Sequence, residues 1–150
     1  MTAPEKHLER PLRILFVCVE NANRSQMAEG FARQIGGGRV EASSAGSKPS
    51  GRVNARAIEA MAEKGIDLSK QRSKSLDELR GIEFDAVVTM GCGDACPSVR
   101  AGTREDWSIP DPREMLPEQF RGVRDLIEAS VRTLIARLET EVPAHARRLR

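Results

Sequence analysis

The chain has 150 residues and a formal net charge of +2 at pH 7. This length fits one domain with a single core, and the near balance of charge gives no case for a nucleic-acid or membrane partner. Tyr is absent and Trp occurs once, which argues against a platform for stacking single-stranded nucleic acid.

The two ends differ in composition from the middle. The first residues are polar and lack the apolar segment of a signal peptide, and no apolar run approaches the ~20 residues that span a bilayer. We expect a cytoplasmic monomer with an extended or disordered segment at 1–11, one domain at 12–140 and a solvated basic tail at 141–150.

Apolar runs alternate with helical patterns along the chain. Strands are predicted at residues 12–19, 40–45 and 84–90. Helices are predicted at 27–35, 53–61, 76–80 and 116–141, and residues 91–104 are expected to be irregular. The apolar stripe of the last helix comprises Val123, Leu126, Ile127, Val131, Leu134, Ile135 and Leu138.

This alternation predicts an α/β fold with a parallel sheet. Ligands of such sheets bind at the carboxyl ends of the strands, where the connections diverge. Cys18 lies at the carboxyl end of the first predicted strand.

Residues 18–25, CVENANRS, have the form C-x5-R-S between a strand and a helix. The helix dipole favours an anion and a Cys18 thiolate there, and the Arg24 guanidinium matches a tetrahedral oxyanion. The Ser25 hydroxyl can donate to the thiolate, and Asn21 tolerates the left-handed backbone that shapes such a loop. The expected oxyanion-binding residues are Val19, Glu20, Asn21, Ala22, Asn23 and Arg24. The simpler alternative is a buried structural cysteine beside a surface arginine.

At these residues the chain resembles the low-molecular-weight tyrosine phosphatase family and, more closely, the thioredoxin-coupled arsenate reductases built on the same fold. The resemblance continues in RSQMAEG (24–30), SAG (44–46), GIDLS (65–69), VTM (88–90) and DP (111–112), and covers roughly residues 12–138. It implies a single domain with a four-stranded parallel sheet flanked by helices, in the flavodoxin-like strand order.

Displacement at phosphorus or arsenic needs a proton for the departing oxygen. Asp111 lies between two prolines, on a stiffened loop that could hold its carboxyl group over the anion. Asp106 is the nearby competitor, and a Pro-flanked Asp also forms ordinary turns. The resemblance implies that Asp111 is the general acid.

Two further cysteines, Cys92 and Cys96, follow a predicted strand on a glycine-containing loop. Cysteines four apart can reach disulfide geometry after a modest rearrangement. They could instead be inert thiols, or half of a zinc site. The zinc alternative is poor because the only histidines, His7 and His145, lie near the ends.

The resemblance implies a relay of three thiols. Cys18 attacks arsenate, Cys92 then attacks Cys18 and releases arsenite, and Cys96 attacks Cys92. External thioredoxin reduces the resulting Cys92–Cys96 disulfide, and no bound cofactor or metal is required. Phosphate and sulfate would compete as oxyanions. Some relatives use a small thiol as the external reductant and need no internal pair of cysteines. The presence of Cys92 and Cys96 therefore favours thioredoxin.

Three positions depart from the family pattern. Glu20 replaces a glycine and is expected to point to solvent, and Asn23 replaces a cysteine found in many relatives. Some relatives bind potassium beneath the loop through Asn, Glu, Ser and Asp. Here Asn21, Glu29 and Ser44 match, but Lys74 replaces the Asp. We hypothesise that the Lys74 ammonium pairs with Glu29 and substitutes for the ion; the alternative is a solvated lysine.

Two other functions stay open. A phosphotyrosine phosphatase would favour aromatic walls, but Arg113 follows the Asp-Pro pair where those enzymes have Tyr. A non-catalytic oxyanion sensor or redox module would not need Asp111. We therefore favour the reductase, with weak phosphatase activity as an ancestral trace.

Overall fold

The computed structural model describes residues 10–91 and 99–142. Its strands are β1 (Leu12–Cys18), β2 (Val40–Gly46), β3 (Glu83–Thr89) and β4 (Arg100–Asp106). Its α-helices are α1 (Arg24–Gly36), α2 (Ala55–Ala62) and α3 (Pro117–Glu141). Short 3-10 helices cover Gly37–Arg39 and Leu76–Leu79.

The four strands form one sheet in the order β2-β1-β3-β4, and every neighbouring pair is parallel. The chain crosses from β1 to β2 on one side and returns to β3 on the other. The connections therefore diverge at the carboxyl end of β1, where this kind of sheet forms its ligand crevice. The predicted four-stranded parallel sheet and its flavodoxin-like order are confirmed.

Side chains of β1 alternate between two apolar clusters because successive residues of a strand point to opposite faces. Ile14, Phe16 and Cys18 join the cluster that contains the apolar faces of all three α-helices named above. Leu15 and Val17 join a smaller cluster on the other face. Burial on both faces explains why β1 is a nearly continuous apolar run.

Two local expectations were wrong. Residues 100–104 form most of β4 rather than an irregular segment. β4 is an edge strand of the described sheet, and its residues alternate between exposed and half-buried because successive side chains point to opposite faces. Leu126 of the predicted stripe is 45% exposed, whereas its neighbour Ile127 is fully buried. Among the helices of the described ranges, none is long and apolar enough to cross a membrane.

Candidate active site

Cys18 ends β1 and lies against the floor of a cavity of about 320 Å³, with 3% of its surface exposed. The other lining residues come from the loop after β1, from the end of β3 and from the segment before α3: Val19, Glu20, Ala22, Asn23, Arg24, Gly91, Asp111 and Arg113. The predicted nucleophile, guanidinium and acid thus share one cavity.

The Cys18 sulfur has a hydroxyl neighbour, since Ser25 Oγ lies 2.9 Å from Cys18 Sγ. Ser25 Oγ also accepts a hydrogen bond from Asn21 Nδ2 at 2.7 Å. The amide uses one lone pair of the hydroxyl oxygen, and the hydroxyl proton can be directed toward sulfur. A thiolate, the form of cysteine that acts as a nucleophile, could accept a hydrogen bond from this hydroxyl.

The carbonyl groups of the loop after β1 are tied to the segment that follows β2. They accept backbone hydrogen bonds in three pairs: Lys48 N to Val19 O at 2.8 Å, Ser50 N to Glu20 O at 3.0 Å and Asn54 N to Ala22 O at 3.0 Å. Ser73 Oγ adds a second bond to Glu20 O at 2.9 Å. With its carbonyls held outward, the loop can present its N–H groups to the cavity.

Those N–H groups are available for a ligand. Within residues 10–91 and 99–142, no protein acceptor is bonded to the backbone N–H of Asn21, Ala22, Asn23 or Arg24. Asn23, the N-cap of α1, makes no capping bond through its side chain. Asn21 has φ 51°, which confirms the predicted left-handed backbone. Free donors at a helix N-terminus form an anion-binding site.

A buried amide pair supports this loop. Asn21 Oδ1 accepts hydrogen bonds from Lys74 N and from Gln26 Nε2, each at 2.9 Å. Gln26 Nε2 also lies 2.8 Å from Arg72 O. Sequence reasoning did not identify Gln26 as a residue that supports the loop. The only signal in the sequence is that a polar residue lies on the inner face of a predicted helix.

Two glycines allow close approach around the loop. A Cβ on Gly46 would lie 2.5 Å from Val19 O, inside the contact limit for backbone atoms. A Cβ on Gly91, which has φ +79°, would lie 2.9 Å from Arg24 Nη1. Both positions therefore require glycine.

The guanidinium of Arg24 is fixed beside the predicted acid. Arg24 Nη1 donates to Ile109 O at 3.0 Å, and Arg24 Nη2 lies 4.0 Å from Asp111 Oδ2. The Arg24 side chain is only 12% exposed. A held, largely buried guanidinium at the cavity wall can bind a tetrahedral oxyanion without first being ordered.

The structure separates the two candidate acids. Asp111 lines the cavity, and Arg113 N donates to its Oδ1 at 3.0 Å. Asp106 lies at the end of β4, accepts a hydrogen bond from Thr89 Oγ1 at 2.7 Å and does not line the cavity. Geometry therefore favours Asp111 for proton donation.

Glu20 lies at the exposed end of the cavity, as expected, but it has a partner that sequence reasoning did not identify. Arg113 Nη1 lies 2.8 Å from Glu20 Oε2, and both side chains are about half exposed. This ion pair joins the loop after β1 to the segment that carries Asp111.

The expected pairing of Lys74 with Glu29 is wrong. Glu29 instead forms an ion pair with Arg33, one helical turn away, and accepts a hydrogen bond from Ser44 Oγ at 2.5 Å. Lys74 Nζ lies 3.5 Å from Arg72 O. Burial lowers the pKa of Lys74 below its ordinary value, while the charge of Glu29 acts in the opposite direction. The Glu29 carboxylate is therefore neutralised by Arg33, which is the nearer cation.

Cys92 and Cys96, the predicted redox pair, lie outside the described residues. Their described chain neighbour Gly91 lines the Cys18 cavity. Within the described ranges, no three His, Cys, Asp or Glu side chains are grouped as a metal site requires.

Comparison with known proteins identifies the family to which this chain belongs. The model of the low molecular weight phosphotyrosine protein phosphatase family matches residues 13–144. The chain belongs to that family, which confirms the resemblance found in its motifs.

Similar curated proteins are reductases. The chain is 40% identical over 129 residues to a glutaredoxin arsenate reductase of Synechocystis sp., covering 84% of this chain and 98% of that protein. It is 41% identical over 129 residues to arsenate reductase 1 of Staphylococcus epidermidis, covering 83% and 96%.

Solved structures agree. An arsenate reductase in its phosphate-binding state superposes with a TM-score of 0.78 at 39% identity, covering 84% of this chain and 98% of that one. A thioredoxin-dependent arsenate reductase of Corynebacterium glutamicum gives a TM-score of 0.74 at 31% identity, covering 93% of this chain and 68% of that one.

Proposed function

We propose that this chain is an arsenate reductase that uses Cys18 as the nucleophile on arsenate. The observation that carries the proposal is the position of Cys18 Sγ, beside the Ser25 hydroxyl at 2.9 Å and on the floor of a cavity that Arg24 and Asp111 also line. The names of the similar proteins support arsenate as the oxyanion.

In the first step, the Cys18 thiolate attacks arsenic and a hydroxyl group leaves as water. The free N–H groups of the loop and the Arg24 guanidinium stabilise the oxyanion, and Asp111 supplies the proton that the leaving oxygen needs. The product is an arsenic(V) ester of the Cys18 sulfur.

The next steps transfer two electrons. Cys92 attacks the Cys18 sulfur, the sulfur–arsenic bond breaks, and its electron pair leaves with arsenic, which becomes arsenite. Cys96 then attacks Cys92 and releases Cys18 as a thiolate. An external dithiol, which we propose is thioredoxin, reduces the Cys92–Cys96 disulfide. No step calls for a bound cofactor.

We propose that the enzyme works as a monomer in the cytoplasm, where thioredoxin is kept reduced. We also expect activity that does not depend on potassium, because the Arg33 guanidinium already pairs with Glu29. Activation by potassium chloride over sodium chloride at equal ionic strength would contradict that expectation.

The coupled assay tests the proposal. Purified protein with arsenate, thioredoxin, thioredoxin reductase and NADPH should oxidise NADPH continuously, while the Cys92→Ser and Cys96→Ser variants should stop after at most one turnover. Glutaredoxin with glutathione, and mycothiol with its own reductases, are run in parallel because they identify a different reductant. No arsenate-dependent oxidation with any reductant, combined with rapid hydrolysis of an aryl phosphate, would favour a phosphatase.

A further inference from the structure

The residues that line the Cys18 cavity fall into a largely buried group and a group that is about half exposed. Cys18 is 3% exposed, the Arg24 side chain 12% and the Asp111 side chain 45%. The Arg113 and Glu20 side chains are 54% and 43% exposed. The Glu20–Arg113 ion pair therefore belongs, with Asp111, to the exposed part of the cavity lining, which we call its mouth.

This pair is a second link between two segments that Arg24 already joins through its contacts with Ile109 and Asp111. Glu20 belongs to the loop after β1, whereas Arg113 follows the Asp111-Pro112 segment, 93 positions later in the chain. The 2.8 Å contact between Arg113 Nη1 and Glu20 Oε2 joins them at the exposed part of the cavity lining.

The Arg113 side of the bridge is anchored from behind. Arg56 Nη1 donates to Arg113 O at 2.9 Å, and Arg56 also donates to Met115 O. The Arg56 guanidinium stacks 4.8 Å from the centre of the Phe120 ring. Because α2 and the start of α3 hold this backbone, the Arg113 side chain extends from a fixed base.

We propose that the Glu20–Arg113 ion pair selects the substrate by size. It closes the mouth over an inner position large enough for a bare tetrahedral oxyanion, so an oxyanion with an organic substituent binds only when the pair is broken. The substrate class is then inorganic oxyanions rather than phosphate esters. This inference rests on the proposed oxyanion site, but not on reduction of arsenate.

The pair also explains how an acidic side chain is tolerated beside an anion site. Arg113 neutralises Glu20, and their mutual attraction holds both charges at the mouth. Exposed pairs of this kind are weak and screened by salt. The discrimination against oxyanions with an organic substituent should therefore be partial and should weaken at high ionic strength.

The test measures binding without turnover. Alkylation of Cys18 by iodoacetamide is followed on the Cys18 peptide by mass spectrometry, and protection by inorganic phosphate is compared with protection by benzylphosphonate. The proteins are the full chain and the Glu20→Gln, Arg113→Gln and Glu20→Arg/Arg113→Glu variants. Arg80→Gln is the matched control, since it removes an exposed ion pair with Asp77 elsewhere.

The measured quantity is the affinity for benzylphosphonate divided by the affinity for phosphate. Both ligands are phosphorus oxyanions of similar charge, so a change in local charge alters both affinities alike and cancels in the ratio. The ratio then reports how easily the larger ligand passes the mouth of the cavity. We expect the ratio to rise about three- to fivefold in each single variant. It should return to within about twofold of the native value in the charge-swapped variant and stay unchanged in the control.

An unchanged ratio in both single variants, with phosphate still protecting Cys18, would overturn the proposal and leave the proposed function intact. Failure of the charge-swapped variant to restore the ratio would also overturn it. If the ratios change as expected but no reductant supports arsenate reduction, the reductase proposal fails and this one stands. If phosphate and arsenate fail to protect Cys18 in the native protein, both fail.

Discussion

The hydroxyl oxygen of Ser25 lies 2.9 Å from the sulfur of Cys18, and both groups are buried. The two residues are brought together by a loop of five residues between β1 and α1, and three of its carbonyl groups accept hydrogen bonds from the segment after β2. The sulfur therefore lies beside a hydroxyl group, in a cavity lined by a loop whose N–H groups at residues 21–24 bond to no acceptor among the residues that the structure describes.

Ser25→Ala removes the hydroxyl that lies 2.9 Å from the Cys18 sulfur and can donate to its thiolate. Hydrogen bonds to charged groups contribute ~1.5–3 kcal/mol, so we expect Cys18 alkylation at pH 7 to slow by about tenfold to a hundredfold. The measurement is the rate of carbamidomethylation of the Cys18 peptide. Ser130→Ala, which removes an exposed hydroxyl bonded within α3, should leave the rate unchanged; a rate for Ser25→Ala equal to the native one would contradict the role of the hydroxyl.

Gly46→Ala places a methyl group 2.5 Å from Val19 O. The loop must shift to make room, and overpacking of this kind costs ~1–3 kcal/mol. We expect a lower free energy of unfolding in urea and weaker protection of Cys18 by phosphate. Gly38→Ala, where an added methyl group meets nothing within 4 Å, is the matched control. Equal behaviour of the two variants would show that the loop does not depend on this contact.

Asp111→Asn removes the proton donor that the cavity offers to the leaving oxygen. General acid catalysis contributes ~10²–10⁴ in rate, and kcat for arsenate should fall within that range while phosphate protection of Cys18 is retained. Asp106→Asn is the control, because its carboxylate bonds to Thr89 and lies outside the cavity lining. A larger loss of kcat from Asp106→Asn than from Asp111→Asn would identify Asp106, not Asp111, as the general acid.

The loop, the nucleophile and the sheet could be predicted from sequence because each has a local signal. The C-x5-R-S spacing places Cys18 and Arg24, and long apolar runs identify β1 and β3. The position of β4 was missed, since an edge strand with exposed alternate residues has little hydrophobic pattern and is defined by its pairing with β3.

Contacts between distant segments were not predictable. The Glu20–Arg113 pair and the bonds from Gln26 to Arg72 join residues 46 to 93 positions apart, and nothing in the residue types selects those partners. Lys74 illustrates the same limit: residue types suggested a pair with Glu29, but Arg33, one helical turn away, is the nearer cation.

Lys74 gives a pH-dependent prediction. Burial lowers the pKa of its ammonium group below the ordinary value of 10.5, so the charged form destabilises the folded state. This penalty is complete at pH values below the lowered pKa and disappears as pH rises through it to 10.5, since lysine is then neutral in both states.

Lys74→Gln should therefore raise the free energy of unfolding at pH 7, and the gain should shrink above pH 10.5. Urea titrations at the two pH values measure it, with the exposed Lys70→Gln as control. A Lys74→Gln variant less stable than the native protein at pH 7 would mean that the ammonium makes a net favourable interaction there.

The central claim is tested most directly by one round of reaction with excess arsenate and no reductant, followed by arsenite quantitation and disulfide mapping. We predict about one arsenite per chain, with a Cys92–Cys96 disulfide and a free Cys18 in the native protein. The Cys96→Ser variant should trap a Cys18–Cys92 disulfide instead. Arsenite release from a Cys18→Ser variant, or native protein that releases none and keeps all three thiols reduced, would contradict the account.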